Sequence, residues 1–140
     1  MTQSLSKLDQ DLINAKNVDE TKLLIDAGAD VNAKNNIGGT ALMFAFSVEQ
    51  TLLLIEAGAD VNTRTDAGYT ALMYSKTEDQ TKILLEAGAD VNAKDECGLS
   101  VLRYARTPGQ KKIIEAAMAA AISEAKSKGF SVLPPSKHIV

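Results

Sequence analysis

The sequence predicts an all-α solenoid of four helix-turn-helix repeats with short hairpin fingers. Three observations carry that prediction. The segment AGADVN begins at Ala27, Ala57 and Ala87, always thirty residues apart. Apolar columns keep the same period: Leu12, Leu42, Leu72 and Leu102, and again Leu23, Leu53, Ile83 and Ile113. A column of small polar residues, Asn17, Ser47, Thr77 and Thr107, recurs in step with them. Self-similarity at a fixed period of this length marks stacked supersecondary units, each too small to bury its own apolar face. Four units exceed the roughly three that such a stack needs. The repeats divide the chain into an N-terminal capping unit at 1–34, units at 35–64 and 65–94, a C-terminal capping unit at 95–128, and a tail at 129–140.

Residues 68–97 give the elements in order. Gly68 and Gly98 stand where a turn needs a permissive backbone. Thr70-Ala71-Leu72-Met73-Tyr74-Ser75 reads as a short first helix, with Thr70 as N-cap and Leu72 facing inward. Thr77-Glu78-Asp79-Gln80 is a capping box that opens a second helix. The same box stands at Ser47–Gln50 and Thr107–Gln110, with Asn17-Val18-Asp19-Glu20 as an Asn-capped relative; Pro108 falls at a first helical position, where its missing N–H is harmless. The second helix runs through Ile83, Leu84 and Leu85 and ends at Gly88, a left-handed cap. Ala89-Asp90-Val91-Asn92 leaves as an extended segment, with Asp90 and Asn92 suited to bond neighbouring backbone and set the turn.

The outer units show which columns face which neighbour. Phe44, Tyr74 and Tyr104 share a column that begins with Asn14, and Ala41, Ala71 and Val101 one that begins with Asp11; these positions should contact the preceding repeat. Ile13, Met43 and Met73 end in Arg103, and Ile25, Ile55 and Leu85 end in Glu115; these should contact the following one. Polar replacement at opposite ends is what capping requires, so the stack is expected to be finished at both ends. The Ala-rich last helix should stop at Gly129, and Phe130, Val132 and Leu133 are expected to fold back over the stack.

Composition bounds the function. Apolar residues at 45% and a net charge of −3 describe an ordinary soluble protein. Residues 100–140 carry seven Lys and Arg against two Glu, so a basic end follows an acidic remainder. The opening Met1-Thr2-Gln3-Ser4 has no basic or apolar leader, and no apolar run reaches membrane-spanning length. A single Cys97 fits a reducing cytoplasm. The expected location is cytoplasmic, with a secreted effector lacking a standard leader as the alternative.

No catalytic constellation is legible. The sole histidine, His138, lies in the tail with no partner in sequence, and one His with one Cys gives no metal-ligand spacing. Cys97 sits beside Asp95 and Glu96 and lacks the electropositive surroundings of a reactive thiol, leaving an enzyme that uses Cys97 as the weakest reading. Asp30, Asp60 and Asp90 repeat with the fold and therefore read as turn formers. No glycine-rich phosphate loop stands apart from the repeat, and no basic stripe with interleaved aromatics is evident, so neither a cofactor nor nucleic acid is expected.

GADVN at 28–32, 58–62 and 88–92, with Gly39-Thr40-Ala41-Leu42 and Tyr69-Thr70-Ala71-Leu72 behind Gly38 and Gly68, resembles ankyrin repeats over roughly residues 5–125. The departures are a period of thirty against the family's usual ~33 residues, and TALM or SVLR where the family has T-P-L-H. The missing residues fall between the two helices, so the first helix must be about a turn shorter or the connection tighter. Met43 and Met73 are expected to fill the space left by the family's His and Pro. Short repeats with TALM resemble bacterial members. The resemblance also implies that Asn32, Asn62 and Asn92 match a site of asparaginyl hydroxylation in eukaryotic relatives.

The resemblance implies a non-catalytic module that binds a partner protein through finger tips and a concave face, acting as a monomer without metal or cofactor. Mapped onto this chain, that surface comprises Asn36, Ile37, Gly39 and Phe46; Asp66, Ala67, Tyr69 and Lys76; and Glu96, Cys97, Leu99 and Arg106. These positions vary between repeats while the scaffold columns do not. Ile37, Tyr69 and Leu99 read as an apolar column, either a binding stripe or finger-to-finger packing, with Tyr69 the best single anchor. On that reading Tyr69→Ala weakens binding and largely spares stability. A narrower expectation is an inhibitor, immunity or effector-type protein that covers a partner's surface.

Overall fold

In the computed structural model, residues 5–127 are described, with side-chain surroundings for residues 5–123. The predicted stop at Gly129, the fold-back of Phe130, Val132 and Leu133, and His138 lie outside the described residues. Helix α1 (Lys7–Ile13) pairs with α2 (Val18–Asp26), and a 3-10 turn (Ala41–Phe44) with α3 (Val48–Glu56). Helix α4 (Ala71–Tyr74) pairs with α5 (Glu78–Glu86), and a second 3-10 turn (Val101–Tyr104) with α6 (Pro108–Ser127). The helix pair thus recurs four times, and in the last three units the first member is a single turn of four residues. That shortening is where the thirty-residue period loses its length.

Each second helix begins on the cap its sequence predicts. The side chains of Asn17, Ser47, Thr77 and Thr107 accept from the backbone N–H groups of Glu20 (2.7 Å), Gln50 (3.0 Å), Gln80 (3.1 Å) and Gln110 (3.1 Å). Each supplies a partner to a donor left free by the first turn. Helices α2, α3 and α5 end at Gly28, Gly58 and Gly88, whose φ values of 97, 99 and 100° belong to the left-handed region. In the fourth unit that position is Met118, and without the glycine α6 runs on to Ser127.

The core is a continuous strip through the stack. Leu12, Leu42 and Leu72 are buried behind the first helices, Leu54, Leu84 and Ile114 behind the second. Val31, Val61 and Val91 close it on the finger side. Met43 and Met73 are also buried. The predicted end columns behave accordingly: Ile13, Met43 and Met73 are buried while Arg103 is exposed, and Asn14 and Glu115 are exposed. Among the described residues no helix is long and apolar enough to cross a membrane.

The capping box needs one correction. In the usual box the third-position side chain reaches back to the cap residue's own N–H. Here Oε1 of Gln50, Gln80 and Gln110 accepts instead from the residue before the cap, Phe46 (3.0 Å), Lys76 (2.7 Å) and Arg106 (2.8 Å). The amide nitrogen then crosses into the preceding repeat. Nε2 of Gln50 donates to the Ala15 carbonyl (3.2 Å) and to Thr21 Oγ1 (3.0 Å). Gln80 does the same to Ala45 (2.9 Å) and Thr51 (3.1 Å), and Gln110 to Ser75 (3.1 Å) and Thr81 (3.1 Å). Each threonine donates in turn to the carbonyl of its own cap residue, at 2.8 or 2.9 Å. These glutamines and threonines are fully or almost fully buried, and among the described residues no buried side-chain polar atom lacks a partner. The ladder therefore joins every adjacent pair of repeats without leaving an unsatisfied group.

The outer repeats depart from it, as they do in the apolar columns. The first has exposed Glu20 in the glutamine column, where none of the four repeats precedes it. The fourth has exposed Lys111 in the threonine column, where none of the four repeats follows.

A second ladder runs through the DVN segments. The prediction for Asp90 holds, since it accepts from Asn92 N–H at 2.9 Å, as Asp60 does from Asn62 and Asp30 from Asn32. The asparagines do something different from setting their own turn. Asn32 donates to the Gly58 carbonyl (3.1 Å) and accepts from Asp60 N–H (2.7 Å), and Asn62 bridges Gly88 (3.0 Å) and Asp90 (2.7 Å) likewise. Asp9 Oδ1 takes the asparagine's place for Asp30 N–H in the first repeat, at 2.7 Å.

Candidate binding surface

The fingers are tight turns built on one residue each. Asn35 Oδ1 accepts from Ile37 and Gly39 N–H (3.0 and 2.9 Å), Thr65 Oγ1 from Tyr69 N–H (3.0 Å), and Asp95 Oδ1 from Cys97 and Leu99 N–H (both 2.9 Å). Gly38, Gly68 and Gly98 complete the turns with φ between 81 and 86°. Adjacent fingers are stitched through their backbones: Asp66 N–H donates to the Ile37 carbonyl (3.0 Å) and Glu96 N–H to Ala67 (2.9 Å). A Cβ on Gly68 would lie 2.9 Å from the Glu96 nitrogen, so glycine there serves close approach as well as backbone sign. The column Asn35, Thr65, Asp95 was legible as Asx- and Ser/Thr-turn chemistry three residues before a glycine, yet the DVN segments draw the eye first.

Behind the fingers lies an aromatic run. Phe44 and Tyr74 have ring centroids 5.6 Å apart; Tyr69 meets Tyr74 edge-on at 6.0 Å and 87°, and Tyr104 at 5.7 Å and 69°. These are favoured geometries for rings that carry a quadrupole. Phe44 with Tyr74 and Tyr69 with Tyr104 join adjacent repeats, as the Asn14-headed column predicts, while Tyr69 and Tyr74 belong to one repeat. Tyr69, Met73, Tyr74, Tyr104 and Arg106 line an open cleft of about 220 Å³. The Tyr104 hydroxyl donates to Asp95 Oδ2, tying the last finger to the last first helix. That hydrogen bond, followed by the Leu99 N–H, holds the Asp95 carboxyl below its ordinary pKa, and the same bond raises Tyr104. Burial, and then the neighbouring Tyr69, raises Tyr74.

The predicted contact residues separate into three groups. Asn36, Ile37, Phe46, Asp66, Lys76, Glu96, Cys97, Leu99 and Arg106 are exposed. Ala67 and Tyr69 are half-buried. Gly39 is buried: a Cβ there would stand 2.8 Å from two ring atoms of Phe44, so the position packs beneath a ring and offers no contact surface. The supposed column of Ile37, Tyr69 and Leu99 is also out of register. Ile37 shares its column with Ala67 and Cys97, and Gly39 shares its own with Tyr69 and Leu99. The Tyr69 ring packs against both Tyr74 and Tyr104, so truncating it removes two aromatic contacts and should lower stability as well as alter the surface.

Phe46, Lys76 and Arg106 occupy one column at the exit of the first helices, each held at its backbone N–H by the ladder glutamine of its repeat. Lys76 Nζ lies 3.4 Å from the Ala45 carbonyl, next to Phe46, and donates to it. Partial burial, and then repulsion from Arg106, lowers the Lys76 pKa. Cys97, by contrast, is an exposed finger residue whose N–H is used by Asp95.

A family model of ankyrin repeats in three copies matches residues 12–95. No curated protein matches the chain. Ankyrin repeats are generally protein–protein interaction modules and typically carry no catalysis. The repeated helix pairs, the glycine-capped second helices and the stacked fingers agree with that match. The chain belongs to the ankyrin repeat family.

Proposed function

We propose that the protein is a non-catalytic, monomeric interaction module that binds one partner protein through its finger tips and inner face. One contrast carries this reading. The columns that hold the stack together repeat almost letter for letter, as in Gln50, Gln80 and Gln110 or Leu42, Leu72 and Leu102. The exposed columns do not: Asn36, Asp66 and Glu96 differ, as do Ile37, Ala67 and Cys97, and Phe46, Lys76 and Arg106. Residues free to differ on a rigid frame are where a solenoid acquires specificity. A partner would be held by shape and by a few aromatic and charged anchors around the cleft. The exposed thiol of Cys97 favours a reducing compartment for such work.

The test is affinity capture with the whole chain followed by mass spectrometry, run beside an inner-face variant carrying Phe46→Ala, Lys76→Ala and Arg106→Ala and a finger-tip variant carrying Asn36→Ala, Asp66→Ala and Glu96→Ala. A single stoichiometric partner captured by the parent and lost from either variant supports the reading. Equal recovery by all three chains, or no stoichiometric partner, counts against it.

A further inference from the structure

The inner face carries a charge pattern at odds with the rest of the molecule. The chain is acidic overall, with net charge −3. Yet the column at the exit of the first helices reads Lys16, Phe46, Lys76, Arg106, and all four residues are exposed. Lys76 and Arg106 are equivalent residues of adjacent repeats, and their like charges repel. Among the described residues neither has a carboxylate oxygen within 4.0 Å, the one such pair being Lys7 and Asp11. Arg106 also forms a wall of the cleft lined by Tyr69, Met73, Tyr74 and Tyr104. Arg106 and an aromatic floor therefore meet at one place, between the third and fourth repeats, with Lys76 next in the column.

We propose that this strip seats an acidic peptide segment of the partner, with carboxylate side chains on Lys76 and Arg106 and a neighbouring apolar or aromatic side chain in the tyrosine-lined cleft. The inference rests on the interaction-module reading and names the chemistry of the segment bound. Charge complementarity selects the occupant. A carboxylate beside the pair removes their mutual repulsion, and a planar guanidinium takes a carboxylate in bidentate fashion. The adjacent rings supply apolar area at low entropic cost. A nucleic-acid strand fits the strip poorly, because it carries a phosphate at every nucleotide whereas the column offers one adjacent pair of cations and is interrupted by Phe46.

The experiment is selection of random twelve-residue peptides displayed on phage against the whole chain, repeated on Lys76→Glu/Arg106→Glu, with a single-stranded oligonucleotide as a second probe. Selected peptides should be rich in Asp and Glu beside Phe, Tyr or Leu. Their affinity should fall at least about tenfold on the charge-reversed chain and decline with added salt. Selection on the reversed chain should turn to Lys- and Arg-rich peptides, an outcome a merely misfolded variant cannot produce. Lys76→Gln/Arg106→Gln, checked by circular dichroism, provides a second version should the reversal unfold the chain. No enrichment, peptides without acidic residues, affinity indifferent to both variants, or preferential capture of the oligonucleotide overturns the proposal. A partner captured through the finger tips and unaffected by these two substitutions would refute this strip while leaving the module reading intact.

Discussion

At the scale of single residues, the buried glutamines carry more of the structure than their composition suggests. Gln80 joins its own helix start to Ala45 and Thr51 of the preceding repeat, and all its polar atoms are used. Gln80→Leu keeps the volume but leaves a buried carbonyl and hydroxyl short of a partner and frees the Lys76 N–H. It should destabilise the protein by about 2–3 kcal/mol in urea unfolding, given the usual penalty for an unsatisfied buried group. Glu20 holds the same column with none of the four repeats before it, so Glu20→Gln should change stability by no more than about 0.5 kcal/mol. Equal effects at the two positions would remove the ladder from the account. The sequence made this column visible as the last letter of a capping box, and the cap itself is present. What spacing could not show is that a glutamine has a second end. Its amide reaches a carbonyl 35 residues earlier, in the neighbouring repeat, which no local motif can announce.

At the scale of elements, the short period has a direct consequence in the one-turn first helices, and this was readable from the capping box that follows each so closely. The path of the fingers was less readable. Asp90 was correctly seen as a turn former, but Asn32 and Asn62 spend their amides on the next repeat, a long-range contact that a local motif cannot reveal. The last finger makes a pH prediction. The Asp95 carboxylate is held below its ordinary pKa by the Tyr104 hydroxyl, so its stabilisation is complete above the unfolded value of about 4 and is lost as pH falls below that. Asp95→Asn preserves the turn, as Asn35 does in the second repeat, and removes the titration. Acid unfolding followed by circular dichroism should then be steeper in the parent than in the variant below about pH 4; coincident curves would contradict the assignment. The glycines differ in a way that mutation can expose. Gly88→Ala meets open space and should cost about 1 kcal/mol from its left-handed backbone alone. Gly68→Ala should cost more, because its Cβ would also press on the Glu96 nitrogen and the Asp95 Cα at 2.9 and 3.0 Å.

At the scale of the whole molecule, two ladders and a continuous apolar strip couple each repeat to its neighbours and to nothing further away. Stability should therefore be greatest in the middle repeats, and hydrogen exchange should protect α3 and α5 more than α2. The repeated columns announced this frame in the sequence with little ambiguity. The binding face was legible only in outline, because its residues are defined by not repeating. Spacing alone placed Gly39 on a surface that Phe44 covers, and set Ile37 in a column it does not share. The separation of frame from face is tested most directly by measuring affinity for the captured partner and the thermal midpoint together, for Lys76→Ala/Arg106→Ala and for Thr51→Val. The face variant should lose at least about tenfold in affinity with a midpoint near that of the parent. Thr51→Val, which breaks the ladder between Gln80 and Ser47, should lower the midpoint by several degrees, on the order of 3–4 °C per kcal/mol, and bind as the parent does while folded. A face variant that unfolds early yet binds unchanged, or a Thr51→Val chain that stays stable but no longer binds, would contradict it.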